Sequence, residues 1–130
     1  MTTWRSDELT RIGKAGELRI ASLRRDGTLR NPVIIWVVCL GDDLYVRSVN
    51  GRTAAWFRGV QACHEGHIQV GGVDRDVTFV EVDGDAAIND QIDAAYRAKY
   101  GYPSSAVSHI TSPAARAATI KLVPRSDNCM

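Results

Sequence analysis

The eight residues Val33-Ile34-Ile35-Trp36-Val37-Val38-Cys39-Leu40 form the longest apolar run in the chain, and five of them are β-branched. With no Gly or Pro inside it, the run reads as a strand buried on both faces. It is far too short to cross a bilayer, which takes about 20 apolar residues in a helix. Turn signals bracket it: Asp26-Gly27 before and Gly41-Asp42-Asp43 after. Connections of that length join antiparallel strands, not parallel ones. An antiparallel strand that is apolar on both faces needs two covers. One is the core of the domain; in a chain this small, the expectation for the other is a second subunit.

Working outward, the central strand is expected over residues 29–40. A strand over 17–23, with Leu18 and Ile20 on one face, precedes it, and a helix over 7–15 comes first, with Ser6 as N-cap and Gly16 as its stop. On the other side a strand runs over 44–49 and ends at Asn50-Gly51. A helix over 53–61 follows, then strands over 67–71 and 76–82 joined by a turn at 72–75. An acidic loop at 83–88 leads to a helix over 89–100. Gly101-Tyr102-Pro103-Ser104-Ser105 breaks that helix, a turn of helix at 114–117 begins with Ser112-Pro113, and a last strand covers 119–123. Six strands with hairpin-length connections predict a mainly β fold, a small antiparallel barrel with peripheral helices.

The composition fits one domain over residues 1–125, with a flexible tail over 126–130. A chain of 130 residues buries about two-thirds of its unfolded surface, and 45% hydrophobic with 24% charged residues excludes a disordered chain. A net charge of +1 argues against nucleic-acid binding. The N-terminal Met-Thr-Thr-Trp-Arg-Ser-Asp-Glu has no apolar core for a signal peptide, and three unpaired cysteines (Cys39, Cys63 and Cys129) suit a reducing compartment. The expectation is a cytoplasmic protein with no membrane partner.

There is no glycine-rich nucleotide fingerprint, no Walker loop and no nucleophile elbow. Cys63, His64 and His67 are of metal-ligating types, with His109 as the one further histidine, but no paired spacing anchors a zinc site, so no metal is expected. Ser108-His109 beside Asp93 fails as a nucleophile pair, because sequence neighbours on a strand point apart. More informative is Tyr45-Val-Arg-Ser-Val-Asn-Gly-Arg-Thr-Ala-Ala-Trp-Phe-Arg58, a strand, a tight turn and a helix start. Helix N-termini accept anions, and Arg47 and Arg52 flank this one, with Arg24, Arg25 and Arg30 around the preceding hairpin. Two readings stay open: a phosphate seat, or a solvated surface whose arginines answer Asp42, Asp43 and the acidic loop. Trp36 and Trp56 are equally open, as walls for a flat ring or as core residues.

The segments Leu44-Tyr45-Val46-Arg47-Ser48-Val49-Asn50-Gly51 and Trp56-Phe57-Arg58-Gly59-Val60 resemble the flavin-binding split-barrel superfamily, especially its deazaflavin-dependent nitroreductase branch. The whole chain resembles the family called domain of unknown function 2255. The likeness runs through Asp26-Gly27-Thr28-Leu29-Arg30-Asn31-Pro32, Ile35-Trp36-Val37-Val38, Ala94-Ala95-Tyr96-Arg97-Ala98-Lys99-Tyr100-Gly101 and Leu122-Val123-Pro124-Arg125. The resemblance implies a six-stranded split barrel that forms a homodimer, with FMN or a deazaflavin in a groove at the dimer interface. By position, Arg30 resembles a basic residue beside the cofactor phosphate, Ser48, Asn50 and Gly51 the loop that approaches the cofactor, and Trp56 the tryptophan of the nitroreductase branch. One departure is that Arg25-Asp26-Gly27-Thr28-Leu29-Arg30 lacks the Lys-Ser pair and second Gly of the nitroreductase segment. The implied function is a flavin- or deazaflavin-dependent oxidoreductase acting on a small organic molecule. Arg47 and Arg52 would hold phosphate and Trp36 or Trp56 would wall the ring. The alternative is a small-molecule-binding barrel of the same fold with no cofactor.

Overall fold

A computed structural model of the protein describes residues 4–82, 84–101 and 105–124. The expected tail at 126–130 with Cys129, together with Asp83, Tyr102, Pro103, Ser104 and Arg125, lies outside these. The elements run α1 (Ser6–Lys14), β1 (Leu18–Ser22), β2 (Val33–Ile35), β3 (Val37–Leu40), β4 (Asp43–Arg47) and a 3-10 turn (Gly51–Thr53). Then come α2 (Ala55–Ala62), β5 (Glu65–Val70), β6 (Val73–Glu81), α3 (Ala86–Tyr100), α4 (Ser105–Ile110), α5 (Pro113–Arg116) and β7 (Thr119–Pro124).

The seven strands form one antiparallel sheet in the order β2-β1-β5-β6-β7-β4-β3. This corrects the expected six. The expected central strand breaks at Trp36 into β2 and β3, which pair with opposite ends of the sheet: Leu18 faces Ile35, and Val37 faces Val46. Because only Trp36 separates β2 from β3, the two edges are drawn together and the sheet becomes a nearly closed barrel, leaving few free edges.

The break is held open by α3. The Tyr96 hydroxyl donates to the Trp36 carbonyl at 3.3 Å, and the Val37 N–H donates to the Tyr100 hydroxyl at 3.1 Å. Lys99 Nζ donates to the Val37 carbonyl at 2.7 Å. These side chains take up backbone groups that a continuous ladder would have paired.

Inside the barrel lies a core that includes Leu18, Val37, Leu44, Phe57, Ile68 and Phe79, closed at one side by Trp4 and Ile12. Outside β3 and β4 lies a second cluster of Val38, Tyr45, Ile92, Tyr96 and Ile110. The second cover of residues 37–40 is therefore α3 with α4, and not another subunit as expected. Ile34 in β2 has no such cover and is 56% exposed.

Smaller differences have local causes. In α1 the cap is Arg5, whose N–H donates to Glu8 Oε1 at 2.9 Å, so Ser6 is already helical. α3 starts inside the expected acidic loop, because the Asp85 carboxylate accepts from the Ile88 N–H at 3.1 Å. The β5–β6 turn is tighter than expected, since Gly71 and Gly72 both adopt positive φ (55° and 84°) and Val70 pairs directly with Val73. The Ser112 cap on α5 is as expected, whereas α4 falls where only a break was expected.

Candidate functional site

β4 ends at the buried Arg47, and the chain turns through Ser48, Val49 and Asn50 into Gly51. The Gly51 N–H donates to the Ser48 carbonyl at 3.0 Å with Gly51 at φ 76°. A Cβ on Gly51 would stand in ordinary contact with Ala114 at 3.4 Å, so it is the positive φ that asks for glycine here. This turn, the β2–β3 break, α2 and α4 enclose a cavity of about 430 Å³. Its walls include Trp36, Trp56, Val33 and Ile35, and its polar groups come from Arg47, Ser48, Asn50 and His109. Its size and apolar lining are those of a small-molecule site.

Five of the eight residues singled out in the sequence thus line one cavity: Trp36, Arg47, Ser48, Asn50 and Trp56. Trp36 is stacked on Tyr100, ring centroids 4.0 Å apart and 5° from parallel, which fixes its plane. Trp56 meets Phe57 edge to face at 6.0 Å. Ser48 is 1% exposed, and its Oγ has no hydrogen-bond partner. A buried hydroxyl left unpaired costs about 1–3 kcal/mol, which an acceptor or donor in the cavity would recover.

Arg47 faces inward. Its Nε donates to Thr119 Oγ1 at 3.0 Å, Nη1 to Asp93 Oδ1 and to the Ile110 carbonyl (3.2 Å), and Nη2 to the Asn89 carbonyl and Oδ1 (3.0 and 2.9 Å). That uses all five of its N–H donors. Burial holds the pKa of Arg47 below the ordinary guanidinium value, and the hydrogen bond and charge of the Asp93 carboxylate oppose that lowering. Arg116 Nη1 donates to the other Asp93 oxygen at 2.6 Å. The group ties β4, α3, α4, α5 and β7 together beneath the cavity.

Arg52 is outside it. Its guanidinium bonds the Ala117 carbonyl at 2.8 Å and Glu81 at 3.1 Å. Burial works to raise the pKa of Glu81, but hydrogen bonds from His64 and Arg52 outweigh it and lower the pKa. The expected anion seat between Arg47 and Arg52 at a helix start therefore has neither arginine turned toward it, and the 3-10 turn that begins at Gly51 separates Asn50 from α2.

Arg30 lies elsewhere, against α2: a Cβ on Gly59 would meet its Cδ and Nε at 3.0 Å. Its Nε is buried without a partner. It lines a second hollow of about 240 Å³ with Arg19, His67 and Gln69. His67 is held between Asp74 and Asp76, its Nδ1 2.8 Å from Asp76 and its Nε2 against Asp74. Burial works to lower its pKa, but the two carboxylates outweigh that and raise it. His64 instead pairs with Glu81 at 3.3 Å, and Cys63 is a free thiol. Among the described residues no group of three or more ligating side chains is placed to hold a metal ion, and no helix is long and apolar enough to cross a membrane.

Sequence reading missed His109, Ala106 and Ile110 as cavity residues because it missed α4. The available signal was Val107 and Ile110, three residues apart, which are the buried face of that helix.

Several solved structures share this fold, three of them as follows. A Listeria innocua protein provisionally assigned as a pyridoxamine 5′-phosphate oxidase superposes with a TM-score of 0.66 at 15% identity, over 91% of this chain and 90% of its own. An FAD-binding protein from Mesorhizobium loti gives 0.57 at 17% identity, over 95% and 92%. An F420 reductase gives 0.51 at 17% identity, over 89% and 90%. Identities this low speak to architecture, and the architecture is the split barrel of the pyridoxamine-phosphate-oxidase type. No curated protein sequence is a significant match. At the level of sequence the match is to a family, and it runs over residues 8–122: the chain belongs to DUF2255, described as "uncharacterized protein conserved in bacteria".

Proposed function

We propose that this protein binds a flavin or deazaflavin and works in the cytoplasm as an oxidoreductase on a small organic molecule. The observation that carries the reading is the cavity between Trp36 and Trp56, with the unpaired Ser48 hydroxyl buried in its wall. Two indole walls, an apolar lining and one buried polar group suit a flat heteroaromatic ring with a polar edge. Asn50 stands in the same wall, and Gly51 shapes the turn that carries both. When bound, the cofactor supplies hydride chemistry; the chain's part is to bind and orient it. The phosphate contact falls to Arg30, whose buried Nε has no acceptor, and not to Arg47 or Arg52, whose guanidinium groups bond acceptors within the fold. FAD and F420 in the names of structures with this fold support the cofactor class.

A second copy of the chain completes the groove in this proposal. Ile34 and Val49, 56% and 47% exposed, both lie at the cavity, and Leu29 (43%) stands on the same side as Arg30 in the second hollow. Large apolar side chains at a ligand site are the kind of surface that subunits cover.

Titration with FMN and with a deazaflavin, followed by quenching of tryptophan fluorescence, tests the proposal. Saturable quenching at micromolar concentration is expected, because Trp36 and Trp56 flank the ligand. Arg30→Ala should weaken FMN about tenfold or more, the loss of a charge-assisted phosphate contact, and leave riboflavin unchanged. The cofactor-free barrel is the second reading, favoured by the internal commitment of every Arg47 donor. A protein that saturates with neither ligand would establish it in place of the first.

A further inference from the structure

Beyond the tryptophans and Ser48, the cavity has a titratable group with nothing to do. His109 stands on α4 at the cavity, exposed, and its imidazole makes no hydrogen bond or ion pair to another described residue. Its neighbour Ile110 is pinned, since the Ile110 carbonyl accepts from Arg47 at 3.2 Å and the side chain is buried against Tyr96. The position of His109 is therefore set by the same buried network that underlies the cavity.

The charged groups beneath the cavity are bonded within the fold. Arg47 of β4 pairs with Asp93 of α3, and Arg116 of α5 pairs with Asp93 and, at 2.9 Å, with Asp90. Lys99, further along α3, reaches the Val37 carbonyl. Of the polar groups lining the cavity, Ser48 and Asn50 are neutral and Arg47 is neutralised by Asp93. His109 alone can bring a net charge to a ligand there.

Resting on the cofactor-binding reading, we infer that His109 is a further ligand-binding residue of the site. Its imidazole donates to the polar edge of the bound ring, on a different element from Ser48. Binding is then linked to a proton: the charged imidazole forms a charge-assisted bond and complements an anionic ligand, whereas the neutral ring forms an ordinary one. The class of ligand this selects is a planar heteroaromatic whose edge carries acceptors, and anionic members of that class bind more tightly as pH falls.

The test measures the FMN dissociation constant by fluorescence from pH 5.5 to 8.0, for the wild-type chain and for His109→Gln. Gln keeps a donor and removes the titration, and the site is exposed enough for the variant to fold. Wild-type binding should be about threefold to tenfold tighter at pH 5.5 than at pH 8.0, and the variant should lose most of that change. The phosphate of FMN titrates in both proteins, so it cancels in the comparison. Equal pH dependence in the two, or none in the wild type, would overturn the role of His109 while leaving the cofactor site standing. Absence of FMN binding at every pH would overturn both.

Discussion

At the scale of single residues, arginine is the residue whose role depends most on where it is folded. Arg30, Arg47 and Arg52 are indistinguishable in sequence as candidate phosphate ligands. In the structure one has a buried nitrogen without a partner, one is saturated by five internal acceptors, and one lies in an ion pair on Glu81. Which outcome applies is set by elements later in the chain: α2 beside Arg30, α3, α4 and β7 around Arg47, and β6 with the end of α5 at Arg52. His67 carries a testable consequence of the same kind. Its pKa is raised above the ordinary 6.5, so its pairs with Asp74 and Asp76 stabilise the fold fully below pH 6.5 and less as pH climbs through the raised value. Urea denaturation of wild type and His67→Gln should therefore show a stability advantage for the wild type at pH 5.5 that shrinks by pH 9. An advantage that grew with pH would show that the ring is not held protonated.

At the scale of elements, the break between β2 and β3 is the feature on which the barrel and the cavity both depend. It places Trp36 in the cavity wall and lets one run of chain serve both edges of the sheet. The Tyr100 hydroxyl accepts from the Val37 N–H and lies 2.9 Å from the Gly16 carbonyl, so it joins the break to the end of α1. Tyr100→Phe keeps the stack on Trp36 and orphans the Val37 N–H. The expected cost is about 1–3 kcal/mol in a denaturation midpoint, with the fold retained. A neutral substitution would mean that the break is held by Tyr96 and Lys99 alone.

At the scale of the whole molecule, the barrel has two apolar outer regions with different fates. The face of β3 and β4 is sealed by α3 within one chain. The β2 side, with Ile34, has no cover. If a second copy supplies it, Ile34→Glu should convert a dimer into a monomer in light scattering and shift thermal stability little for the isolated chain, since the residue is exposed. A wild-type monomer, or a dimer that survives the substitution, would refute the arrangement.

The sequence by itself determined the strand-rich class, five of the strands and the apolar run that forms two more, the glycine turns and five of the residues that meet around the cavity wall. Those features rest on local physics: side-chain periodicity, positive φ at glycine, and the β preference of branched residues. The likeness to DUF2255 was also legible there, and the family match bears it out. Three things waited for the tertiary structure. The strand break at Trp36 exists because side chains of α3, some 60 residues away, satisfy backbone groups that a strand neighbour would otherwise have taken. The sealing of residues 37–40 by α3 could not be read from an apolar run, since a buried face looks the same whatever covers it. The sorting of the arginines depended on which acceptors folding brought within about 3 Å, because a guanidinium goes where its donors are met.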